Sequence, residues 1–394
     1  HLWSVGGSWN IYKEKFFQAD FVDMLKLRAS YGIGGNIGRN TAPYLIASYY
    51  DSSLVDGMAG SVNTPPNKDI RWEKTTTVNV GVDFALFRHR LSGTIEYYNK
   101  YSVDLLAAIN GSPTQGFGYT TLMTNNGKMV NRGVEITLSG EIIRQKDFSW
   151  NASLLYAFNR NKVKHISVQP SLWDSRISMP TSYPMVGKPL YGIYAYKWAG
   201  LNENGDPQVY DAENNVTSGP ARDYHALVYC GTTVPIHNAS LTNVLRYKGF
   251  EFSAMLILDA GHKLRSSNIP SINMSNGRIT STAKGIVDRW TQPGDVTDVP
   301  RLLFSNDTEN FNTHRTELYR YSDLFVYDAS NIRLSNISLA YRVPAHWCKK
   351  ISLSGARLQF NVENVATFAF DSKANYDLGG KVKPNYVWGL YLNF

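Results

Sequence analysis

The sequence predicts an all-β, transmembrane antiparallel β-barrel of about eleven strands, and three observations carry that reading. Apolar and polar residues alternate with period two through most of the 394 residues. The alternating segments are joined by turns of a few residues on one side and by connections of tens of residues on the other. That asymmetry belongs to a barrel with short turns at one rim and long loops at the other, not to a soluble sandwich. Finally, no apolar run reaches the ~18 residues of a membrane helix, whereas a tilted strand needs only ~9 to 11.

The elements follow in order. A first alternating run lies near Trp3 to Tyr12, and a second at Leu25, Leu27, Ala29 and Tyr31, joined through EKFFQADFVD. Val78, Val80, Val82, Phe84 and Leu86 alternate with Asn79, Gly81, Asp83 and Ala85. After the tight FRHR connection, Leu91, Gly93, Ile95 and Tyr97 alternate with Ser92, Thr94, Glu96 and Tyr98. Val134, Ile136 and Leu138 oppose Glu135, Thr137 and Ser139, and RQKDF leads to Trp150, Ala152, Leu154, Tyr156 and Phe158. A further hairpin turns at YKGF, with Leu241, Asn243, Leu245 and Tyr247 before it and Phe250, Phe252, Ala254, Leu256 and Leu258 after it. Strands near 331 to 343 and 355 to 367 are joined through PAHWCKKIS, and the last strand reads Tyr386, Trp388, Leu390, Leu392, Phe394. In NIRLSNISLAYRV the parity changes between Leu334 and Ile337, which predicts a β-bulge. Long connections are expected at roughly 34 to 70, 105 to 130, 161 to 237, 262 to 328 and 368 to 384, all rich in turn formers. If the first strand descends, every tight turn is periplasmic, every long loop is extracellular, and the last strand leaves the C-terminus in the periplasm. Single-chain bacterial barrels have even strand numbers, so eleven strands predict the C-terminal part of a larger barrel.

Composition agrees. Charged residues make up 18% and aromatics 13%, against ~25% charged in ordinary globular chains, and the mean hydropathy is −0.29. The net charge of +8 is scattered through turns and loops without a basic stripe, so nucleic acid is not an expected partner. Two cysteines are too few for a disulfide framework. Cys230 and Cys348 fall on opposite sides of the membrane in this topology and are expected to remain separate thiols.

Catalytic patterns are missing: there is no HExxH, CxxC, GxSxG or phosphate loop, and no enzyme is expected. GIGGN at 32 to 36 lacks the third glycine and the βαβ context of a dinucleotide loop, and reads as a strand exit. His225 and His237 are the closest pair of histidines in one connection. NENGDPQVYD, 202 to 211, spaces Asn202, Asn204, Asp206 and Asp211 as oxygen ligands for a loop Ca²⁺ would be spaced, but without a distal bidentate Glu; a plain hairpin turn is the preferred reading, and no cofactor is expected. The sequons at Asn151 and Asn336 sit inside strands and are chance matches.

Candidate contacts divide between wall and loops. The polar strand residues Asp83, Glu96, Glu135, Arg246, Glu251, Gln359 and Glu363 would face the lumen, meeting plug or substrate. Val80, Val82, Phe84, Ile95, Ile136, Leu154, Leu390 and Leu392 would face lipid. Among the loop aromatics, Tyr44, Tyr49, Trp173 and Tyr194 are candidates for stacking on a sugar or a peptide, although an interfacial aromatic belt would account for such residues equally well.

The ordered set LKLRASYGIGGN, IRWEKTTTVNVGVDF, RLSGTIEYYNK, NRGVEITLSG, YKGFEFSAMLILDAGHK, RWTQPGDVTDVPR and ASNIRLSNISLAYRVP resembles the barrel of SusC-like (RagA-like) TonB-dependent outer-membrane transporters of Bacteroidetes, over nearly the whole chain. The resemblance implies a 22-stranded barrel with an N-terminal plug, neither the plug nor the first barrel strands being in this sequence. It also implies energy from the TonB complex, a SusD-like surface lipoprotein as lid, and import of glycans or peptides. Residues Tyr386, Trp388, Leu390, Leu392 and Phe394 would form the signal read by the barrel-assembly machinery. AFDSKANYDLGGKVKP departs from the acidic, Pro-containing ending usual there. The competing reading, from another class, is a secreted all-β glycan-binding module or adhesin.

Overall fold

The computed structural model describes residues 2–38, 43–53, 57–110, 114, 121–168, 175–219, 223–274, 282–304, 313–379 and 383–394. Eleven strands form one antiparallel sheet: β1 (Trp3–Asn10), β2 (Val22–Asn36), β3 (Glu73–Leu86), β4 (Leu91–Asn110), β5 (Thr121–Arg144), β6 (Phe148–His165), β7 (His237–Tyr247), β8 (Phe250–Ala260), β9 (Asn331–Arg342), β10 (Gly355–Ala369) and β11 (Asn385–Asn393). Each strand pairs with its predecessor and successor in the chain, the meander of an up-and-down barrel wall. None of the helices is long and apolar enough to cross a membrane among the described residues.

Because directly paired residues of antiparallel strands share a face, the register decides which side chains line up. One continuous row runs Trp9, Leu27, Val82, Ile95, Ile136, Tyr156, Ala239, Leu258, Ile332 and Phe368. Phe84, Leu138, Leu154, Leu241 and Leu256 lie in the next row, and Leu339, Phe360 and Trp388 and then Tyr341, Leu358 and Leu390 continue the face to β11. The residues expected toward lipid therefore share one face, and Asp83, Glu96, Glu135, Arg246, Glu251, Gln359 and Glu363 share the other. Alternation does this: a one-residue slip anywhere would exchange the faces.

The parity break in β9 is a bulge. Leu334 pairs with Ala366 and Asn336 with Glu363, so that Ser335 drops out of the ladder, and Asn364 opposite takes φ +53°. One expected boundary is corrected. The connection placed at 105 to 130 is mostly strand, with β4 and β5 running on to Asn110 and from Thr121. A bulge at Asp104, at φ +57°, shifts the register between Ser102 and Leu105 and hides the continuing pairing from a period-two reading. Asp104 is clamped there by Arg71 Nη2 at 2.7 Å.

The remaining connections match the expected asymmetry. FRHR, residues 145–147, Lys248–Gly249 and the stretch around helix Ala345–Lys349 close one rim. The connections spanning 166–236 and 261–330 gather at the other rim and pack on each other.

Candidate functional site

The polar face of the wall is built from ion pairs that tie several strands together. Arg28 of β2 donates from Nε to Asp83 Oδ1 on β3 at 3.3 Å and from Nη2 to Glu96 on β4. Asn79 donates to the same Glu96, and Thr94 Oγ1 donates to Asp83 at 3.0 Å. Farther round, Glu251 of β8 accepts from Arg246 Nε of β7 at 2.7 Å and from Arg357 Nη2 of β10 at 3.1 Å. Asp259 of β8 binds Arg333 of β9 at 2.9 Å. These side chains are part-exposed on a surface whose reverse is apolar, the profile of a wall with water on one side. Glu135 and Glu363 make no ion pair among the described residues. Glu135 lines a cavity of about 310 Å³ with Leu155, Asn238, Ser240, Ile257 and Asp259. Of the expected polar-face residues, then, the fold brings together Asp83 with Glu96 and Arg246 with Glu251, and leaves Glu135 and Glu363 open on the same face.

Over the other rim, the two longest connections fold into a cap with its own core. Strand Gly192–Tyr196 pairs with Leu227–Thr232, and Trp198–Leu201 pairs with Pro207–Tyr210. Tyr194, Tyr196, Val209, Ala226, Leu227 and Leu318 form one buried cluster, and Ile272, Tyr319 and Phe325 another. Helix Thr313–Arg320 feeds both, since Arg315, Leu318 and Tyr319 are spaced three and four residues apart and fall on one face. Backbone and side chains lock the connections together: Tyr196 N–H donates to Tyr321 O at 2.9 Å, Trp198 N–H to Asp323 Oδ1 at 2.9 Å, and Arg265 Nη2 to Tyr194 O at 2.7 Å.

Asp206 is the electrostatic centre of the cap. Arg301 grips it bidentately, Nε to Oδ1 at 3.0 Å and Nη2 to Oδ2 at 2.8 Å, and Arg315 Nε adds 3.0 Å to Oδ1. Arg315 is only 3% exposed and also donates to the carbonyls of Ile272 and Arg301. Burial pulls its pKa down, opposed by the neighbouring Asp206 carboxylate. The 202 to 211 segment is accordingly a turn: Asn202 Oδ1 accepts from the N–H groups of Asn204 and Asp206 at 3.0 and 2.9 Å. Gly205 supplies φ +73° at a point where a Cβ would lie 2.4 Å from the Trp290 ring. Both Asp206 oxygens are directed to guanidinium groups rather than to a common cation position. Among the described residues, no group of three or more His, Cys, Asp or Glu gathers as metal ligands would. His225 and His237 are not brought together as a pair: His225 Nδ1 lies 2.7 Å from Asp223, and His237 Nδ1 lies 2.9 Å from the Tyr156 hydroxyl on the wall.

The loop aromatics separate into two kinds. Tyr44 and Tyr49 are 77% and 72% exposed, with Tyr49 on a hairpin of Ile46–Ser52 and Gly57–Thr64. Tyr194 is corrected: it is 1% exposed, its hydroxyl accepts from Met185 N–H at 3.3 Å, and burial raises its pKa. It is a core residue, with no ring face left for a ligand. Trp173 lies outside the described residues. Sequence reasoning missed Arg315, Arg301 and Arg265, whose partners lie 14 to 109 positions away in the chain and leave no local signal. Cys230 and Cys348 are both free thiols. Burial pushes the Cys230 thiol up to about 11.

The comparisons with known proteins agree with this geometry. A family model described as TonB dependent receptor-like, beta-barrel matches residues 1–365. TonB-dependent receptor P3 of Formosa agariphila is 26% identical over 411 residues, covering 97% of this chain and 39% of that protein. TonB-dependent receptor SusC of Bacteroides thetaiotaomicron is 26% identical over 383 residues, covering 92% and 36%. Among solved structures, that of the RagAB peptide transporter superposes with a TM-score of 0.79 at 24% identity, covering 99% of this chain and 43% of that one. At that identity the likeness is one of fold. The chain thus spans 36% to 39% of the length of these two curated relatives.

Proposed function

The chain belongs to the TonB-dependent receptor-like β-barrel family, and on that premise we propose that it forms wall and extracellular cap of an outer-membrane transporter importing nutrient oligomers. The observation that carries this reading is the two-faced sheet: an apolar face unbroken across eleven strands, backed by a face of ion pairs, with a folded cap over one rim. A wall of this kind buries neither face in its own core, so lipid is the environment that fits the apolar side and an aqueous lumen the other. The two outer strands, β1 and β11, each have a neighbour on one side only. Unpaired edges are costly in hydrocarbon, so further strands close the barrel, and a plug domain fills it. Tight turns lie in the periplasm, and the cap and the exposed Tyr44 and Tyr49 lie outside the cell.

Glycans and peptides are both cargo classes that fit the polar wall and the exposed aromatics. TonB supplies the energy, and a SusD-like lipoprotein closes over the cap. The alternating face of β11, with Tyr386, Trp388, Leu390 and Leu392 on the apolar side and Phe394 91% exposed just beyond the strand, serves as the assembly signal. Purification of the whole protein from native membranes tests the reading. It should require detergent, bring a surface lipoprotein with it, and support uptake of an oligosaccharide or an oligopeptide that stops when TonB is deleted. A protein recovered monodisperse without detergent would point instead to the secreted binding module.

A further inference from the structure

One sector of the apolar face carries cations where the band ends. On β6, Leu154, Tyr156, Phe158, Arg160 and Lys162 point the same way, and the unbroken register pairs Arg160 with Arg132 and Lys162 with Val130 on β5. Arg160 lies ten residues from Trp150 at the turn end of the strand. At ~3.4 Å per residue and a tilt near 45°, that is roughly 24 Å of height, about the ~25 Å of a barrel's apolar band. The cations therefore stand at the upper edge of the band. Aromatic side chains mark the same level: Tyr97 and Tyr101 of β4, 44% and 39% exposed, share the face with Phe158.

Arg132, Arg160, Lys162 and Lys164 are exposed, and none makes a salt bridge among the described residues. Among the described residues, Arg132 Nε donates to Asn99 Oδ1 at 3.0 Å. With Val130 and Phe158 they line an open cavity of about 490 Å³. Lys188 stands beside it, over the Tyr229 ring, and the nearest carboxylate at this end of β4 and β5, Asp104, is engaged by Arg71 and faces Lys74 and Lys128. In the rows of Arg160 and Lys162 the face carries no charge on the preceding strands, with Asn99 and Tyr101 on β4, Val78 and Thr76 on β3 and Tyr31 and Ile33 on β2.

We propose that Arg132, Arg160, Lys162 and Lys164 form a binding site for a phosphorylated glycolipid of the outer leaflet. The phosphates sit on the four cations, and an acyl chain lies down the face over Phe158, Val134 and Ile136. Cations clustered just outside a hydrocarbon band recognise anionic headgroups, and guanidinium groups suit phosphate by their bidentate geometry. This inference rests on the proposed membrane orientation.

The test uses the whole protein, extracted in mild detergent, with native mass spectrometry and titration of phosphorylated lipid A as the probe. The variant Arg132→Gln/Arg160→Gln/Lys162→Gln/Lys164→Gln should lose affinity by about 100-fold or more. A variant neutralising Lys13, Lys15, Lys349 and Lys350, four exposed cations at the opposite rim, should bind like the wild type. Dephosphorylated lipid A should bind as weakly to the wild type as lipid A does to the quadruple variant. Equal binding of the two lipids, an unchanged quadruple variant, or full competition by millimolar inorganic phosphate would overturn the lipid site. Outer-membrane insertion of each variant is measured alongside by heat-modifiable migration. An inserted protein that ignores lipid A defeats this inference alone, whereas a wild type that never inserts defeats the orientation beneath it.

Discussion

The wall and the cap solve the problem of burying apolar surface in opposite ways. In the cap, Tyr196, Val209 and Ala195 have no exposed surface, and two clusters of buried side chains hold the connections together as in a water-soluble domain. In the wall, Ile95, Leu339 and Leu390 stay 44%, 46% and 61% exposed although each belongs to a strand paired in the ladder. Both regions are rich in aromatics, so composition does not separate them; the period of the pattern does. Alternation over eight or more residues leaves each wall strand one apolar face and no partner layer. The cap strands of two to six residues turn back before a face can form, and their apolar residues must meet across the loops.

Four measurements probe this contrast. The largest effect is expected in the cap. Asp206→Ala leaves the buried Arg315 and its neighbour Arg301 without their carboxylate, which should cost about 3 to 5 kcal/mol. Limited proteolysis and amide exchange should show the cap opening while wall amides keep their protection. Loss of protection in both regions together would mean that the two are one cooperative unit.

Next comes the wall. Ile136→Arg, at mid-band on the apolar face, should destabilise the folded protein in lipid by about 2 to 4 kcal/mol, read from denaturant unfolding in vesicles. Thr137→Arg, its neighbour on the polar face, should cost much less. Similar penalties at the two positions would contradict a one-sided lipid contact.

A third effect is chemical. With its thiol raised to about 11, Cys230 should react slowly at neutral pH with a membrane-impermeant maleimide, the rate rising about tenfold per pH unit below that value as thiolate forms. Cys348, buried at the other rim, should stay unlabelled on intact cells. Labelling of Cys348 from outside before Cys230 would reverse the topology.

The smallest effect concerns His262, where the cap joins β8. Burial lowers its pKa in spite of Asp259 and Asp328 nearby, so the folded state binds its proton less readily than the unfolded chain. Stability from this residue is present above the unfolded value of about 6.5 and declines as pH falls through that value toward the lower folded one. His262→Gln should flatten the pH dependence of cap opening as pH falls below about 6.5. An equally steep profile in the variant would assign the dependence to another group.

What was legible in the sequence follows the same division. The eleven wall strands and their neighbour-to-neighbour order could be read because each strand repeats its signal many times. Even the bulge in β9 left a trace, as Ile337 and Leu339 fall out of step with Ile332 and Leu334. The reading failed at Asp104, where a bulge interrupts β4 before the strand is finished and the LLAAI run after it keeps no period-two alternation. In the cap almost nothing was legible. Tyr194 reads as a loop aromatic until Arg265, 71 positions on, is seen bonded to its carbonyl. The Asp206 turn was recognisable from Asn202 and Gly205, but its two arginine partners were not, because contacts closed over about 100 residues leave no period in the chain.

Adjacent residues of the wall meet different solvents, and β5 is the strand on which this is read most simply. With Cys230 and Cys348 replaced by Ser, nitroxide labels placed singly at Val134, Glu135, Ile136, Thr137 and Leu138 of the whole protein in lipid vesicles can be tested for collision with oxygen and with a water-soluble nickel chelate. The account predicts an alternation of period two: labels at 134, 136 and 138 favour oxygen, and labels at 135 and 137 favour the chelate. Accessibilities that do not alternate, or that alternate with the opposite phase, would contradict it.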